Sequence, residues 1–388
     1  MTVYRKTKRK SSSKPAKNKR MKPVMRFFWR FLGLLNVLTL LVLLAAAYSD
    51  YVSPYRSLIF PYLGLFFPFI LLGNILLLCV WLFFKNWRMM GLNFLVLLAC
   101  FPSIHTYFPL HLKTKEIPEN SFKFLTYNVM RFESIKRDTP DHPNKILQYI
   151  KDADADVVCL QEYGAAINTS GFLKEKDILA AMKNYPYHYF HHLHFPYQSE
   201  ILGLAIFSKF PILSTRKVPY ESAYNGSFVT ELAIRGKKVT LINNHLESNK
   251  LSEEERNDYY QMTQDIGTQS LDVFTKTMTK RLSPAYKIRA LQAQLIADII
   301  AKDKNPYIIV CGDFNDTPIS YARHKIKGKL RDAFVDSGFG LGITYNKYRF
   351  LFRIDYILYG KNIKSYNCTV GKLRNSDHYP LWCYLELK

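Results

Sequence analysis

The chain has 388 residues, 48% of them hydrophobic and 15% aromatic, which excludes a disordered chain and supplies core for one large or two ordinary domains. The net charge of +23 is unevenly placed: residues 1–30 carry twelve Lys/Arg and no acid, while residues 112–388 carry 39 bases against 30 acids, or +9. The six cysteines form no CxxC pair and read as small buried hydrophobes; a Cys159–Cys311 disulfide would require that their two strands be neighbours.

The basic tail, residues 1–30, runs into three apolar stretches: Phe31 to Tyr48, Leu58 to Phe84 and Met89 to Phe108. About 20 apolar residues cross a hydrocarbon core. The first two stretches hold no charge, and the third is the weakest, broken by Pro102 and His105. Residues 31–110 are therefore expected to form a transmembrane region of three helices in contact with membrane lipid. The tail is too long for a signal peptide and suits the cytoplasmic face with its anionic headgroups. Loop Ser49 to Ser57 has one base and one acid, and loop Lys85 to Arg88 has two bases and no acid. That alternation puts residues 111–388 outside the cytoplasm, anchored to a plasma or inner membrane, if the third stretch crosses; if it only lies at the interface, they are cytoplasmic.

From Phe122 strands and helices alternate. Strands are expected at Phe122–Asn128, Val157–Leu160, Tyr187–His194, Leu202–Phe207, Ile212–Val218, Phe228–Arg235, Lys238–His245, Tyr307–Cys311, Arg353–Tyr359, Ile363–Val370 and Pro380–Leu387. Helices are expected at His142–Asp152 and Leu173–Lys183, and over most of Glu253–Asp303 with a break at Ser283-Pro284. Many strands with few crossovers indicate an α/β sandwich with mixed or antiparallel sheets.

Six motifs carry the chemistry: Tyr127-Asn128-Val129, Gln161-Glu162, Asn244-His245-Leu246, Gly312-Asp313-Phe314-Asn315, Arg353-Ile354-Asp355-Tyr356 and Ser376-Asp377-His378. Asp313 and Asn315 stand two apart after an apolar strand, so an extended backbone points both to one face. Glu162 and Asn128 also end strands, and oxygen donors of this kind suit Mg²⁺, or Mn²⁺ in its place. His245 and His378 can exchange protons near neutral pH, and Asp355 can orient an imidazole.

In this order the motifs resemble the endonuclease/exonuclease/phosphatase superfamily. The likeness runs from Ser121 to Lys388 and includes Gly203-Leu-Ala-Ile-Phe-Ser-Lys-Phe-Pro-Ile. It implies a DNase-I-like four-layer sandwich, two β-sheets face to face flanked by helices, and Mg²⁺-dependent phosphoester hydrolysis by in-line attack of water. By that resemblance Glu162 is the principal metal ligand, assisted by Asn128, with Asp377 supporting metal or phosphate. Asp313 and Asn315 orient nucleophile and phosphate, His378 pairs with Asp355, and His245 is the second histidine. The motifs assign proton transfer to the two histidines jointly. The substrate is a phosphate ester: nucleic acid, lipid headgroup or small phosphoester. No protein partner is inferable.

The rival class is a non-catalytic membrane scaffold that keeps the fold. Loss of Glu162, Asp313 or His378 would mark it, and all three are present. Asn128, Glu162, His245, Asp313, Asn315, Asp355 and His378 are expected to converge on one cleft. Asp152, Asp154 and Asp156 read as a polar turn, His191, His192 and His194 as a half-exposed strand, and Gly338, Gly340 and Gly342 lack the strand–helix context of a dinucleotide fingerprint. Asn168, Asn225 and Asn367 fit the glycosylation acceptor pattern, which arises often by chance.

Overall fold

The computed structural model describes residues 23–139, 141–167, 171–193, 199–220, 222, 224–249, 268–347 and 351–388. Two six-stranded sheets lie face to face. The first has the order β11-β12-β1-β2-β4-β3, built from β1 (Ser121–Asn128), β2 (Val157–Ala166), β3 (Tyr187–His192), β4 (Glu200–Ser208), β11 (Ile363–Val370) and β12 (Leu381–Leu387). The second has the order β5-β6-β7-β8-β10-β9, from β5 (Ile212–Lys217), β6 (Gly226–Ile234), β7 (Lys237–His245), β8 (Ile308–Asp313), β9 (Arg331–Asp332) and β10 (Asp355–Tyr359). Each sheet has one parallel pair near its middle, β1 with β2 and β7 with β8, and the other pairings are antiparallel.

Alternation sorts the side chains. Phe122, Phe124, Val157 and Cys159 face Leu241, Ile309, Cys311 and Ile357 in the inter-sheet core. Leu125, Tyr127, Val158 and Leu160 point outward, under the helices Lys145–Ala153 (α5) and Glu175–Ala181 (α6). On the far side, Ile242, Val310, Tyr356 and Leu358 lie under Thr268–Lys302 (α7) and Tyr321–Lys327 (α8). A short helix, Ala333–Ser337 (α9), caps the end of β9. The result is the expected four-layer sandwich. Cys159 and Cys311 belong to opposite sheets rather than to neighbouring strands, and both are free thiols.

Most expected elements are present within a few residues. The break at Pro284 is not: α7 runs through it from Thr268 to Lys302. Residues 253–267, also within the segment expected to be helical, lie outside the described residues. Residues α8 and α9 contribute short helices that periodicity did not mark.

The N-terminal region is helical from Pro23, so Arg26 and Arg30 of the expected tail sit on the helix itself. Pro23–Ala47 (α1) and Ile59–Phe83 (α2) are each long and apolar enough to span a membrane. The third stretch is a bent pair rather than a single helix, Trp87–Ala99 (α3) and Phe101–Tyr107 (α4), with 62° between them. Pro102 at the start of α4 suits a helix N-terminus and not a helix interior. Polar groups tie the bundle together: Trp81 Nε1 and Asn93 Nδ2 donate to Asn36 Oδ1 at 2.6 and 2.7 Å, and Thr39 Oγ1 donates to Asn74 Oδ1 at 3.1 Å.

One end of the bundle packs on the sandwich. Ile319, which precedes α8, lies in an apolar cluster with Leu43, Ala46, Phe67 and Tyr107. Asp50 Oδ2 meets His324 Nδ1 at 2.9 Å, and the Arg353 guanidinium donates to the Thr106 carbonyl. Leu110 bridges Phe339 beyond α4. Pro23 therefore lies at the opposite end of α1, about 36 Å away.

Candidate active site

Both parallel pairs run toward the same end of the sandwich, and the motifs lie there. In the second sheet, His245 and Asp355 are the register partners of Asp313 on either side, so three adjacent strands set the three side chains in a row. Gly312 has φ +117°, and a Cβ there would collide with the Asn244 carbonyl oxygen, so only glycine brings β8 this close to β7. In the first sheet, Asn128 ends β1 opposite Gln161. The β2–β4 register slips between Leu160 and Tyr163, and Glu162 has φ +49°. That bulge turns Glu162 out of the sheet alternation and into the site. Asn315 is also left-handed, with φ +52°; strained non-glycine backbone of this kind concentrates at functional sites.

Asp313 Oδ2 is the hub. Asn128 Nδ2 donates to it at 3.1 Å and Asn315 Nδ2 at 3.3 Å. His245 Nε2 stands at 3.7 Å and His378 Nε2 at 3.6 Å. Asn128 Nδ2 also reaches Glu162 Oε1 at 3.1 Å, and His245 Nε2 lies 3.8 Å from that oxygen. His378 Nδ1 donates to Asp355 Oδ2 at 2.8 Å. Asp377 is half-buried and follows Ser376, whose hydroxyl donates to the Asn128 carbonyl at 2.7 Å and accepts from His378 N at 3.1 Å. All seven residues expected to share a cleft thus converge. In this amide orientation Asn128 presents nitrogen to the carboxylates, its Oδ1 accepting from Met130 N at 3.1 Å.

The electrostatics are polarised. Burial pushes the Asp313 carboxyl up to about 7, with Asp355 adding to the rise and His378 opposing it. Burial, and then the charge of Asp377, also raise Glu162. Burial works against the His378 charge, but the carboxylates of Asp355 and Asp313 outweigh it and push this imidazole up to about 10. His245 goes the other way, down to about 3, through burial and then the His378 charge, against a small opposing contribution from the Tyr224 backbone. Near pH 7 one imidazole is therefore charged and the other neutral.

Asp313, Asp355 and His378 each offer a ligand atom within 4.8 Å of the others, and Glu162 joins them through Asn128. The Asn128 hydrogen bond, the His378 charge and then Arg131 oppose the rise at Glu162, and the Arg131 guanidinium is engaged by Glu200 at 2.8 Å. His245 Nε2 and Asp355 Oδ1 are buried without a hydrogen-bond partner among the described residues. Oxygen donors with raised carboxyl pKa values and unmet polar atoms fit a hard divalent cation.

Several supporting residues escaped the sequence reading. Arg289 of α7 is 1% exposed; it donates to Asp316 Oδ2 at 3.2 Å and to the Glu247 carbonyl at 2.8 Å. Gln292 accepts from Glu247 N at 2.9 Å. Thr344 Oγ1 accepts from Asp355 N at 3.2 Å, and the Tyr345 ring lies 5.1 Å from that of His378. Arg289 and Gln292, three apart on a face otherwise formed by Ala285, Tyr286, Ala290, Ala293 and Ile296, were the available signal.

Of the discounted signals, Asp156 serves β1, accepting from Lys123 N at 2.8 Å. Asn225 is buried, its amide donating to the Leu246 carbonyl at 2.9 Å, so it is no accessible acceptor for a glycan. His194 and Asn168 lie outside the described residues.

Residues 125–378 match the model of the Endonuclease/Exonuclease/phosphatase family. Residues 28–107 match a second model, described as a domain of unknown function (DUF8431). No curated protein matches the chain. Similar solved structures include an endonuclease/exonuclease/phosphatase from Beutenbergia cavernae, at 15% identity and TM-score 0.49, covering 69% of this chain and 72% of that one. A family protein from Leptotrichia buccalis shares 18% identity at TM-score 0.47, covering 69% and 100%. The human Nocturnin catalytic domain with bound sulfate shares 15% at TM-score 0.47, covering 72% and 97%.

Proposed function

The chain belongs to the endonuclease/exonuclease/phosphatase family, hydrolases of phosphoester bonds, and from that premise we propose a membrane-anchored, divalent-cation-dependent phosphoesterase whose acid and base are His378 and His245. The observation that carries the assignment is two imidazole Nε2 atoms converging on one carboxylate oxygen, one backed by Asp355 and pushed up, the other lowered by burial. Titratable neighbours pushed apart in this way mark the two halves of an acid–base pair. The rival of a scaffold that keeps only the fold has no use for such polarisation.

Glu162, Asp313 and Asp377 would hold the cation, Mg²⁺ or Mn²⁺, which when bound neutralises charge on the phosphate oxygens, Asp313 taking the ligand place expected for Asn128, whose Nδ2 faces the carboxylates. Asn128 spaces two of these carboxylates by donating to both. Neutral His245 takes the proton of the attacking water at Nε2. As the new P–O bond forms, the bond to the leaving group breaks in line with it, and His378 gives its Nε2 proton to the departing oxygen. Asp355 keeps His378 charged and aimed through Nδ1. Asn315 is left-handed and anchored to the Leu246 carbonyl at 2.9 Å, which fixes the Asp313 loop beside His245.

Membrane placement supports a phosphate ester presented at the bilayer surface. Asn315 is four residues from Ile319, so its Cα lies within about 14 Å of a residue that packs on membrane helices. The catalytic domain packs on the bundle end opposite Pro23, and the positive-inside bias of the tail supports a place outside the cytoplasm.

The test compares two substrates on the intact protein with Mg²⁺: mixed anionic phospholipid vesicles and supercoiled plasmid. Release of phosphate or headgroup from vesicles, without plasmid nicking, supports the lipid reading. Nicking without lipid turnover makes the enzyme a nuclease.

A further inference from the structure

Two of the loops that carry reacting groups, those of Asp313 and His245, are linked to α2, the first directly and the second through α7. The Asp313–Asn315 loop runs on through Asp316 to Ile319, which is 2% exposed. A Cβ on Gly64 would collide with the Ile319 carbonyl oxygen and stand 2.6 Å from Ser49 Oγ, so this loop rests directly on helix backbone. The His245 loop is held at Leu246 and Glu247. The Leu246 carbonyl accepts from Asn315 Nδ2 and Asn225 Nδ2, both at 2.9 Å. The Glu247 carbonyl accepts from Arg289, whose Nε also holds Asp316. One buried guanidinium therefore fastens the two loops together.

That guanidinium is in turn seated on α2. It lies 4.9 Å over the Tyr286 ring. The Tyr286 ring meets the Tyr62 ring edge-on at 5.7 Å, and Tyr62 Oη and Ser283 Oγ share a hydrogen bond of 2.9 Å. Leu65 packs beside Leu282 and Tyr286. The first two turns of α2 thus touch one catalytic loop through backbone and reach the other through Tyr286 and Arg289 of α7.

We propose that α2 is a positioning element of the active site, setting the Asp313 loop through Gly64 and Ile319 and the His245 loop through Tyr62, Tyr286 and Arg289. The inference rests on the phosphoesterase reading for the identity of the reacting groups. Arg289 is a positioning residue in this scheme, and the anchor is part of the catalytic apparatus rather than a tether. Misplacement of reacting groups by about 1 Å costs on the order of 10²-fold in rate, so small displacements of α2 reach the chemistry.

The experiment uses the full chain in lipid nanodiscs with Mg²⁺ and bis(p-nitrophenyl) phosphate, a soluble probe that needs no access through lipid. Gly64→Ala is compared with Gly73→Ala and Gly91→Ala, bundle positions where an added Cβ meets nothing within 4 Å. Gly64→Ala is expected to lower kcat roughly ten- to a hundredfold with KM within about twofold, and to speed amide exchange at 246–249 and 314–317. The two controls are expected to match wild type. Arg289→Lys, keeping the charge but not the fork, is expected to retain more kcat than Arg289→Ala. Wild-type kcat and exchange in Gly64→Ala, or the same loss in Gly73→Ala, would overturn the proposal. If Gly64→Ala fails to fold, Tyr62→Phe removes only the hydroxyl bonded to Ser283. A lower kcat with faster exchange at 246–249 supports the coupling there, and no change in either overturns it. If wild type hydrolyses no phosphoester, the phosphoesterase reading fails, while the exchange comparison still decides whether α2 holds these loops.

Discussion

His245 and Asp313 are register partners across the parallel β7–β8 pair, and their side chains meet with Nε2 3.7 Å from Oδ2. The contact joins a neutral imidazole to a carboxyl that burial has pushed up to about 7. Burial has moved both titrations away from their ordinary values, and each shift has a consequence that can be measured.

Asp313 must lose its proton before it can hold a cation. Apparent Mg²⁺ affinity is therefore expected to rise with pH up to about 7 and flatten above it, with proton release on binding below that point. Calorimetry in buffers of different ionisation enthalpy reads both. An affinity constant between pH 5.5 and 8 would contradict the assignment.

His378 owes its charge to Asp355 and Asp313. Its folded pKa, about 10, lies above the ordinary value of 6.5. The stability this imidazolium contributes is therefore complete below pH 6.5 and lost as pH rises through 10. In chelator, the melting-temperature gap between wild type and His378→Gln is expected to be widest near pH 6 and to close toward pH 10. Asp355→Asn should bring the His378 titration down toward the ordinary range and lower kcat by roughly 10²–10⁴-fold, visible as an alkaline limb displaced to lower pH.

Gly312→Ala places a Cβ against the Asn244 carbonyl at a φ of +117°. The substitution is expected to destabilise the protein by about 1–3 kcal/mol and to abolish turnover, because β8 can no longer hold Asp313 beside His245. Thermal unfolding and activity are measured together; full activity would show that this close approach is dispensable.

The bundle makes a topological prediction. Ser53 and Lys361 belong to the domain side, and Lys85 lies in the turn at the far end of α2. Ser53→Cys and Lys361→Cys are expected to react with an impermeant thiol reagent on intact cells, and Lys85→Cys only after lysis. Labelling of Lys85→Cys together with Lys361→Cys on intact cells would contradict a bundle that crosses the membrane.

The strands that end in motifs were legible because an apolar alternation followed by a polar residue has one reading in a sheet. Asp313, His245 and Asn128 sit at strand ends as expected, although Val157–Leu160 extends to Ala166 because the Glu162 bulge carries pairing past the polar residues. Pro284 does not stop α7, whose packing on β7 and β8 outweighs the lost backbone hydrogen bond. Arg289 was not legible, since a helical arginine signals a buried clamp only once the helix face is known. Nor was the docking of the bundle, which depends on Gly64 meeting one particular carbonyl. Such contacts leave no periodicity in a sequence.

The measurement that bears most directly on the central claim is hydrolysis of bis(p-nitrophenyl) phosphate by the full chain in nanodiscs, before chelation, after it, and after Mg²⁺ is restored, alongside Asp313→Ala. The expected result is turnover that vanishes with chelator, returns with Mg²⁺ and is absent from the variant. Turnover that survives chelation, or that Asp313→Ala retains, would contradict a phosphoesterase site built around Asp313.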